Sequence, residues 1–229
     1  MKHLKASQFT AVAVILLSVI IYFASCRKKD DVPVVVIPTI ERGTQKVTLT
    51  DPKLTYDKTH GNVNWSTAYM GSLSTLTGRF NSFGMNTFNF DESNPAGINF
   101  DGWVYINTVN TSEPGRDYGC LQTTFGTDTT MREQAANKAT IKTKSVAFST
   151  EDKGYIVTFD FTFHGVTKTL TGKLTYAGHT TSGTGATLKD IYGFGFDFQF
   201  LAKTDFLIAS TNIGDLIDIK TDAIFRRVQ

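Results

Sequence analysis

Residues Tyr155–Tyr176 read YIVTFDFTFHGVTKTLTGKLTY. In steps of two they set Tyr155, Val157, Phe159, Phe161 and Phe163 on one side and Ile156, Thr158, Asp160, Thr162 and His164 on the other. That is the period of a β-strand with one apolar face. His164-Gly165 punctuates the run. Beyond it Val166, Leu170, Leu174 and Tyr176 alternate with Thr167, Thr169, Thr171 and Thr175, which predicts an antiparallel return strand. The stretch reads as a hairpin with an aromatic wall.

The same alternation recurs along the chain. Tyr192, Phe194, Phe196, Phe198 and Phe200 fall on every second position, with Gly193, Gly195, Asp197 and Gln199 between them, the strongest strand signal present. Ile217, Ile219, Thr221, Ala223 and Phe225 give a last half-buried strand. Upstream, Val63, Trp65, Thr67 and Tyr69 alternate with polar residues, Leu73, Leu76 and Phe80 follow, and Phe88 and Phe90 share a face ahead of a turn at SNPAG. Ile98, Phe100, Val104 and Ile106 oppose Trp103 and Tyr105, so that segment is apolar on both sides and is expected to be covered twice. Thr130 and Glu133 have capping-box spacing, which predicts one short helix near Thr129–Lys138. AGHTTSGTGATLK, from Ala177 to Lys189, reads as a glycine-rich loop without the spacing of a phosphate cradle. About eight strands and one short helix make an all-β, lipocalin-like antiparallel barrel. Alternation alone leaves open whether such a barrel is filled by its own side chains or keeps room for a ligand.

Four blocks carry a family resemblance. FTFHGVTKTLTGKL, with its His164–Lys168 core, is similar to a turn that recurs in YceI-like bacterial lipid-binding proteins. YDKTHGNVNWSTAYMGSLSTLTGRF (Tyr56–Phe80) resembles the opening strand pair of that family, Arg116-Asp117 its Arg-Asp pair, and GFGFDFQFLAKTDF (Gly193–Phe206) its late aromatic strand. Tyr69 and Gly119-Cys120 stand where the family commonly has histidines, and Lys203 and Thr204 replace Arg and Ser. The resemblance spans residues 47–229 and implies an elongated apolar cavity holding a long isoprenoid chain. Its wall would be Trp65, Phe88, Phe90, Phe159, Phe161, Phe163, Phe194, Phe196 and Phe198, with His60 and His164 near a polar head group. Read from the residues alone, such a phenylalanine stripe is more often a packed core than a ligand wall, and such histidines are more often turn residues bonded to backbone. Each five-carbon unit buried contributes roughly 3–4 kcal/mol at about 0.8 kcal/mol per carbon, so long chains are favoured over short ones.

The charge balance, 23 basic against 21 acidic residues, lacks the basic stripe that nucleic acid requires. No His-x-x-x-His or Cys-x-x-Cys spacing and no Gly-x-Ser-x-Gly elbow occurs, so neither a metal site nor a serine nucleophile has a signature, and a non-enzymatic protein with no required cofactor is expected. A bound polyisoprenoid or isoprenoid quinone is compatible with that reading. The oligomeric state is left open, a dimer included.

Residues 1–25 begin with Lys2, His3 and Lys5 and continue into AVAVILLSVIIYFAS, shorter than the ~20 residues of a spanning helix and of signal-peptide length. Phe23-Ala24-Ser25-Cys26 resembles a bacterial lipobox, in which Cys26 becomes acylated. Residues 26–45, with Pro33 and Pro38, read as an extended tether, and residues 46–229 as the barrel domain. Arg27, Lys28, Lys29, Asp30 and Asp31 behind the cysteine resemble a surface-export signal as well as a hydrated spacer. The expected location is the bacterial cell envelope, lipid-anchored in the outer membrane on its periplasmic or outer side. Cys120 then has no intramolecular partner and reads as a small buried thiol.

Overall fold

The computed structural model describes residues 44–118, 124–125 and 135–229. The signal peptide, Cys26, most of the tether, Cys120 and residues 129–134 of the expected helix lie outside the described residues. Residues Ala135–Asn137 form a 3-10 turn that leads directly into a strand, and the one described α-helical turn is Pro114–Arg116.

Among the described residues twelve strands pair antiparallel: β1 (Lys46–Thr48), β2 (Leu54–Tyr56), β3 (Asn62–Tyr69), β4 (Ser74–Phe80), β5 (Phe83–Asp91), β6 (Asn99–Tyr105), β7 (Val109–Asn110), β8 (Lys138–Ser149), β9 (Gly154–Phe163), β10 (Val166–Ser182), β11 (Lys189–Leu201) and β12 (Ile213–Val228). β4 and β5 behave as one bent strand. Phe80 pairs with Val109, Asn81 donates its amide to the Thr108 carbonyl, the Ser82 carbonyl accepts from Tyr105, and Phe83 pairs with Val104. β6 and β7 are likewise two halves of its partner. Counted this way there are eight staves, and pairing returns from β6 through β8, β9, β10, β11, β12 and β3 to β4. Closure removes the unpaired edges that an open sheet would expose. β2 takes over from β3 along β12 beyond Asp222, and β1 takes the side of β5 away from β6.

Side chains follow the pleat. On β9 the expected odd-numbered positions, Tyr155 to Phe163, are all buried, and on β11 the even-numbered ones, Tyr192 to Phe200, are as well. The turn between β9 and β10 has two residues, His164 (φ 51°) and Gly165 (φ 75°), and Phe163 pairs with Val166 across it. Two consecutive left-handed residues match the right-handed twist of the flanking strands, which is why glycine takes the second place. The stretch read as a glycine-rich loop is mostly strand: β10 continues to Ser182, and a bulge at Ala177, with Gly178 at φ 120°, shifts the phase so that Tyr176 lies opposite Phe194 and His179, not Gly178, opposite Tyr192. A period-two reading loses the face wherever an extra residue is inserted. The segment apolar on both sides is confirmed in β6, where Phe100 and Gly102 are buried while half-buried Trp103 and Tyr105 face outward under the ammonium of Lys138, 4.8 Å from the Trp103 ring.

Gly172 decides how closely the aromatic strands meet. A Cβ there would lie 2.8 Å from the Asp197 carbonyl oxygen and 2.9 Å from the Phe196 ring. Gly172→Ala is therefore expected to cost about 1–3 kcal/mol through overpacking, read as a lowered midpoint in denaturant with an unchanged slope.

Candidate functional site

The rings inside the barrel form one connected array. Phe163 touches Phe206 and Phe200, Phe161 touches Phe198, Phe159 touches Phe196, Phe196 touches Phe100, and Phe88 links Phe100 to Phe194 and Phe225, with centroid separations from 4.4 to 6.3 Å. Most are edge-on or tilted, the geometry aromatic quadrupoles favour. Between them remains a hollow of about 100 Å³, bounded by no charged side chain. An engineered cavity of roughly 150 Å³ takes one benzene, so this hollow has room for one small group and not for a long chain.

Of the nine aromatic wall residues expected from sequence, Phe88, Phe161, Phe163, Phe194, Phe196 and Phe198 border the hollow. Trp65, Phe90 and Phe159 are buried behind it: Trp65 stacks edge-on to Phe125, Phe90 packs against Tyr155, Tyr176 and Phe194, and Phe159 sits between Phe196 and Phe198. Phe80, Phe100 and Phe200 also border it. Phe100 and Phe200 lay on alternations already evident in the sequence, whereas Phe80 gains its place from the bend between β4 and β5.

The two histidines stand at opposite ends of the barrel. His164 is exposed in the β9–β10 turn, beside Phe163. His60 lies between β2 and β3, its side chain 60 % exposed, with Nδ1 2.8 Å from the Asp57 carboxylate. Asp57 also accepts from Arg226 Nε at 2.6 Å. Partial burial would raise the Asp57 carboxyl, but hydrogen bonds from His60, Arg226 and the Thr59 amide hold it below the usual carboxylate range. Burial, aided by the Asp57 charge, pushes the neighbouring Tyr56 phenol, which borders the hollow, up to about 12, so it stays a neutral donor. At the His164 end, residues 202–212 cross the barrel mouth and drive Phe206, fully buried, against Phe161, Phe163 and Phe200. Asp215 holds this cap through the Thr204 hydroxyl and the amides of Lys203 and Thr204, and Lys168 Nζ lies 3.5 Å from Asp205.

A larger concavity, about 600 Å³, lies outside on β3, β4 and β12, where Asn64, Ser66, Arg79 and Lys220 face water. It is polar and open. Among the described residues no group of three or more His, Cys, Asp or Glu is placed to hold a metal ion, and no helix is long and apolar enough to cross a membrane.

The sequence matches the YceI-like domain over residues 54–225, three quarters of the chain. The chain belongs to the YceI-like family. BcnA of Burkholderia cenocepacia has a similar structure at 14% identity and a TM-score of 0.52, covering 74% of this chain and 99% of that one. The Campylobacter jejuni YCEI protein aligns at 19% identity and a TM-score of 0.55, over 69% and 88%. A polyisoprenoid binding domain from Saccharophagus degradans aligns at 15% and 0.47, over 77% and 99%, a similarity that fixes neither register nor ligand. No curated protein matches the chain. These likenesses establish a YceI-like barrel.

The lowered carboxyls give the pH dependence a sign. Asp57 is joined by Asp91, held down by Lys46 and Ser93, and by Asp215, held down by the Thr204 hydroxyl. A carboxyl whose folded pKa is depressed contributes stability above its unfolded value, and that contribution is lost as pH falls through the folded one. The melting temperature is expected to be flat from about pH 7 to 5 and to fall below about pH 4. In Arg226→Gln the acid-side slope should be shallower, because Asp57 then titrates nearer its unfolded value.

Proposed function

We propose that this YceI-like protein is a non-enzymatic carrier that holds the tail of a long-chain isoprenoid, or a similar amphiphilic lipid, inside the barrel while Cys26 anchors it to a bacterial membrane. The observation that carries the reading is the wall of the hollow. Aromatic and aliphatic side chains from all eight staves converge on it, and its few polar members, Tyr56, Thr140 and Thr221, are uncharged. Such a lining rewards each buried methylene and offers a charged or strongly hydrated ligand nothing. Because 100 Å³ is below the 300–1,000 Å³ of ordinary ligand sites, loading has to rotate rings or withdraw the Phe206 cap. The head group is assigned to the capped end, where His164 and Lys168 stand near the mouth. His60 is engaged by Asp57 at the other end.

The small volume also favours a second reading, a structural or adhesive surface lipoprotein whose barrel is filled. An isoprenoid quinone presented to a membrane redox partner is a variant of the first.

Native mass spectrometry of protein purified from its own membranes separates them. A co-purifying mass of an isoprenoid chain supports the carrier, a quinone band in the extract selects the variant, and repeated absence of bound lipid selects the filled barrel. The Cys26 anchor is checked by palmitate labelling that disappears in Cys26→Ser.

Ala223 borders the hollow opposite Phe194, so Ala223→Leu should fill it and reduce co-purified lipid about tenfold or more while costing no more than about 1–3 kcal/mol. Extraction of lipid from the unaltered protein should lower its melting temperature, since unfilled apolar volume forfeits packing contacts.

A further inference from the structure

The capped end of the barrel carries an apolar rim that the interior does not use. Tyr69 ends β3, Met70 and Leu73 lie in the β3–β4 connection, Leu207 lies in the cap, and Leu201 and Leu216 pair across β11 and β12 on the outer face. All six are exposed, Leu73 by 81 % and Leu207 by 76 %. They are neighbours: Tyr69 pairs with Ile213, the Met70 amide donates to the Asn212 carbonyl, and Leu207 follows Phe206 in the same loop. Five residues other than glycine have positive φ in the described chain, and Met70 (φ 47°), His164 (φ 51°) and Leu207 (φ 59°) are all at this end. A leucine held in the left-handed region with its side chain in water costs about 1–2 kcal/mol and recovers nothing from packing.

We infer that this rim is the surface by which the barrel docks on a lipid bilayer, with Leu73 and Leu207 entering the interface. Three features select a membrane over a second copy of the chain. The two most exposed residues, Leu73 and Leu207, sit on separate loops, with Tyr69, Leu201 and Leu216 on the strand ends beside them, a spread that a soft phase accepts more readily than a rigid partner. They also lie beside the capped mouth of an apolar interior, along the ends of β11, β12, β3 and β4, so insertion brings that mouth to the acyl region. The third is the tether. Residue 45 meets Glu92 at the opposite end of the barrel, yet residues 26–45 extended reach roughly 65 Å. β10, the longest strand with 17 residues, spans about 55 Å along its length and less along the axis of a tilted barrel. An anchored Cys26 therefore leaves the capped end able to turn onto the membrane. Phe206 and Leu207 are consecutive, one fully buried and one in water, so drawing Leu207 into lipid pulls on the residue that closes the mouth. Docking and opening are then one movement. The inference rests on the carrier reading for its purpose and on the residues above for its place.

The test uses the full chain bound to phosphatidylethanolamine–phosphatidylglycerol vesicles, carrying an environment-sensitive fluorophore at Leu73→Cys, at Leu207→Cys or, for the far end, at Lys153→Cys, each with Cys120→Ser. Blue-shifted emission and quenching by spin-labelled lipid at positions 73 and 207, with a water-like signal at 153, is the expected result. Solvent-like emission at both rim positions, or quenching at 153 instead, overturns the inference. With the fluorophore moved to Met70→Cys, which is also exposed on the rim, Leu73→Asp with Leu207→Asp should lower rim quenching about tenfold and leave the melting temperature unchanged, because both side chains are exposed. An unchanged quenching signal in that variant also overturns it. The mass of Cys26 in the same preparation, and the presence of bound lipid by native mass spectrometry, report separately on the anchor and the carrier, so either can fail while the rim result stands.

Discussion

Phe159 and Phe161 on β9 reach Phe196, Phe198 and Phe200 on β11 across the intervening strand, with centroids 4.9 to 5.3 Å apart. That contact exists only because β10 presents glycine at position 172, where a methyl group would strike both the Phe196 ring and the Asp197 carbonyl. Once the rings are locked over β10, the register of three strands is set, since a slip of one residue would turn the four inward aromatic side chains of β9 or the five of β11 to water. The curvature follows too. Bulky groups on the inner face of β9 and β11 and a gap between them draw the sheet inward, and continuing that curl through β12, β3 and the bent β4–β5 strand brings it back to β6.

The same aromatic array makes the fold and the candidate site one object. In an enzyme the core supports a cleft built by other residues. Here the residues that hold the barrel shut are those bordering the hollow, so any guest competes directly with self-packing. An isoprenoid tail can compete because it offers what the rings offer each other, dispersion contacts and exclusion of water, over a much longer surface. A polar substrate cannot, because Tyr56, Thr140 and Thr221 are too few to replace its hydration.

What the sequence disclosed and what it concealed divide along physical lines. The faces of β9, β11 and β12 were legible because alternation is local and each strand is half-buried throughout. β10 beyond Tyr176 was not, because Ala177 and Gly178 insert a bulge that resets the phase and the residues after it look like a loop. Nor could local pattern show that β4 and β5 are one stave, since Asn81 and Ser82 break the apolar alternation and their pairing with Thr108 and Tyr105 is tertiary. Trp65, Phe90 and Phe159 were assigned to the wall from their alternation, yet they pack one layer behind the hollow. Depth within a barrel depends on which strands face each other across it, and no single strand records that. Asp57 and Arg226 met for the same reason: 169 positions apart, they are brought together by β2 lying against the end of β12.

The cap shows how closure and strain are linked. Asp215, at the start of β12, receives the amides of Lys203 and Thr204 and fixes the first turn after β11. The chain must then bury Phe206 and return at once to the surface, and the only backbone that reverses direction that sharply within one residue is left-handed, at Leu207. The strain is thus the geometric consequence of plugging a barrel mouth from outside with a short loop. Glycine at 207 would relieve it, and a chain shaped by stability alone would gain from glycine there. The leucine retained at that position adds an exposed apolar side chain to a strained site, a combination that packing in the folded domain does not repay and contact with an apolar phase does.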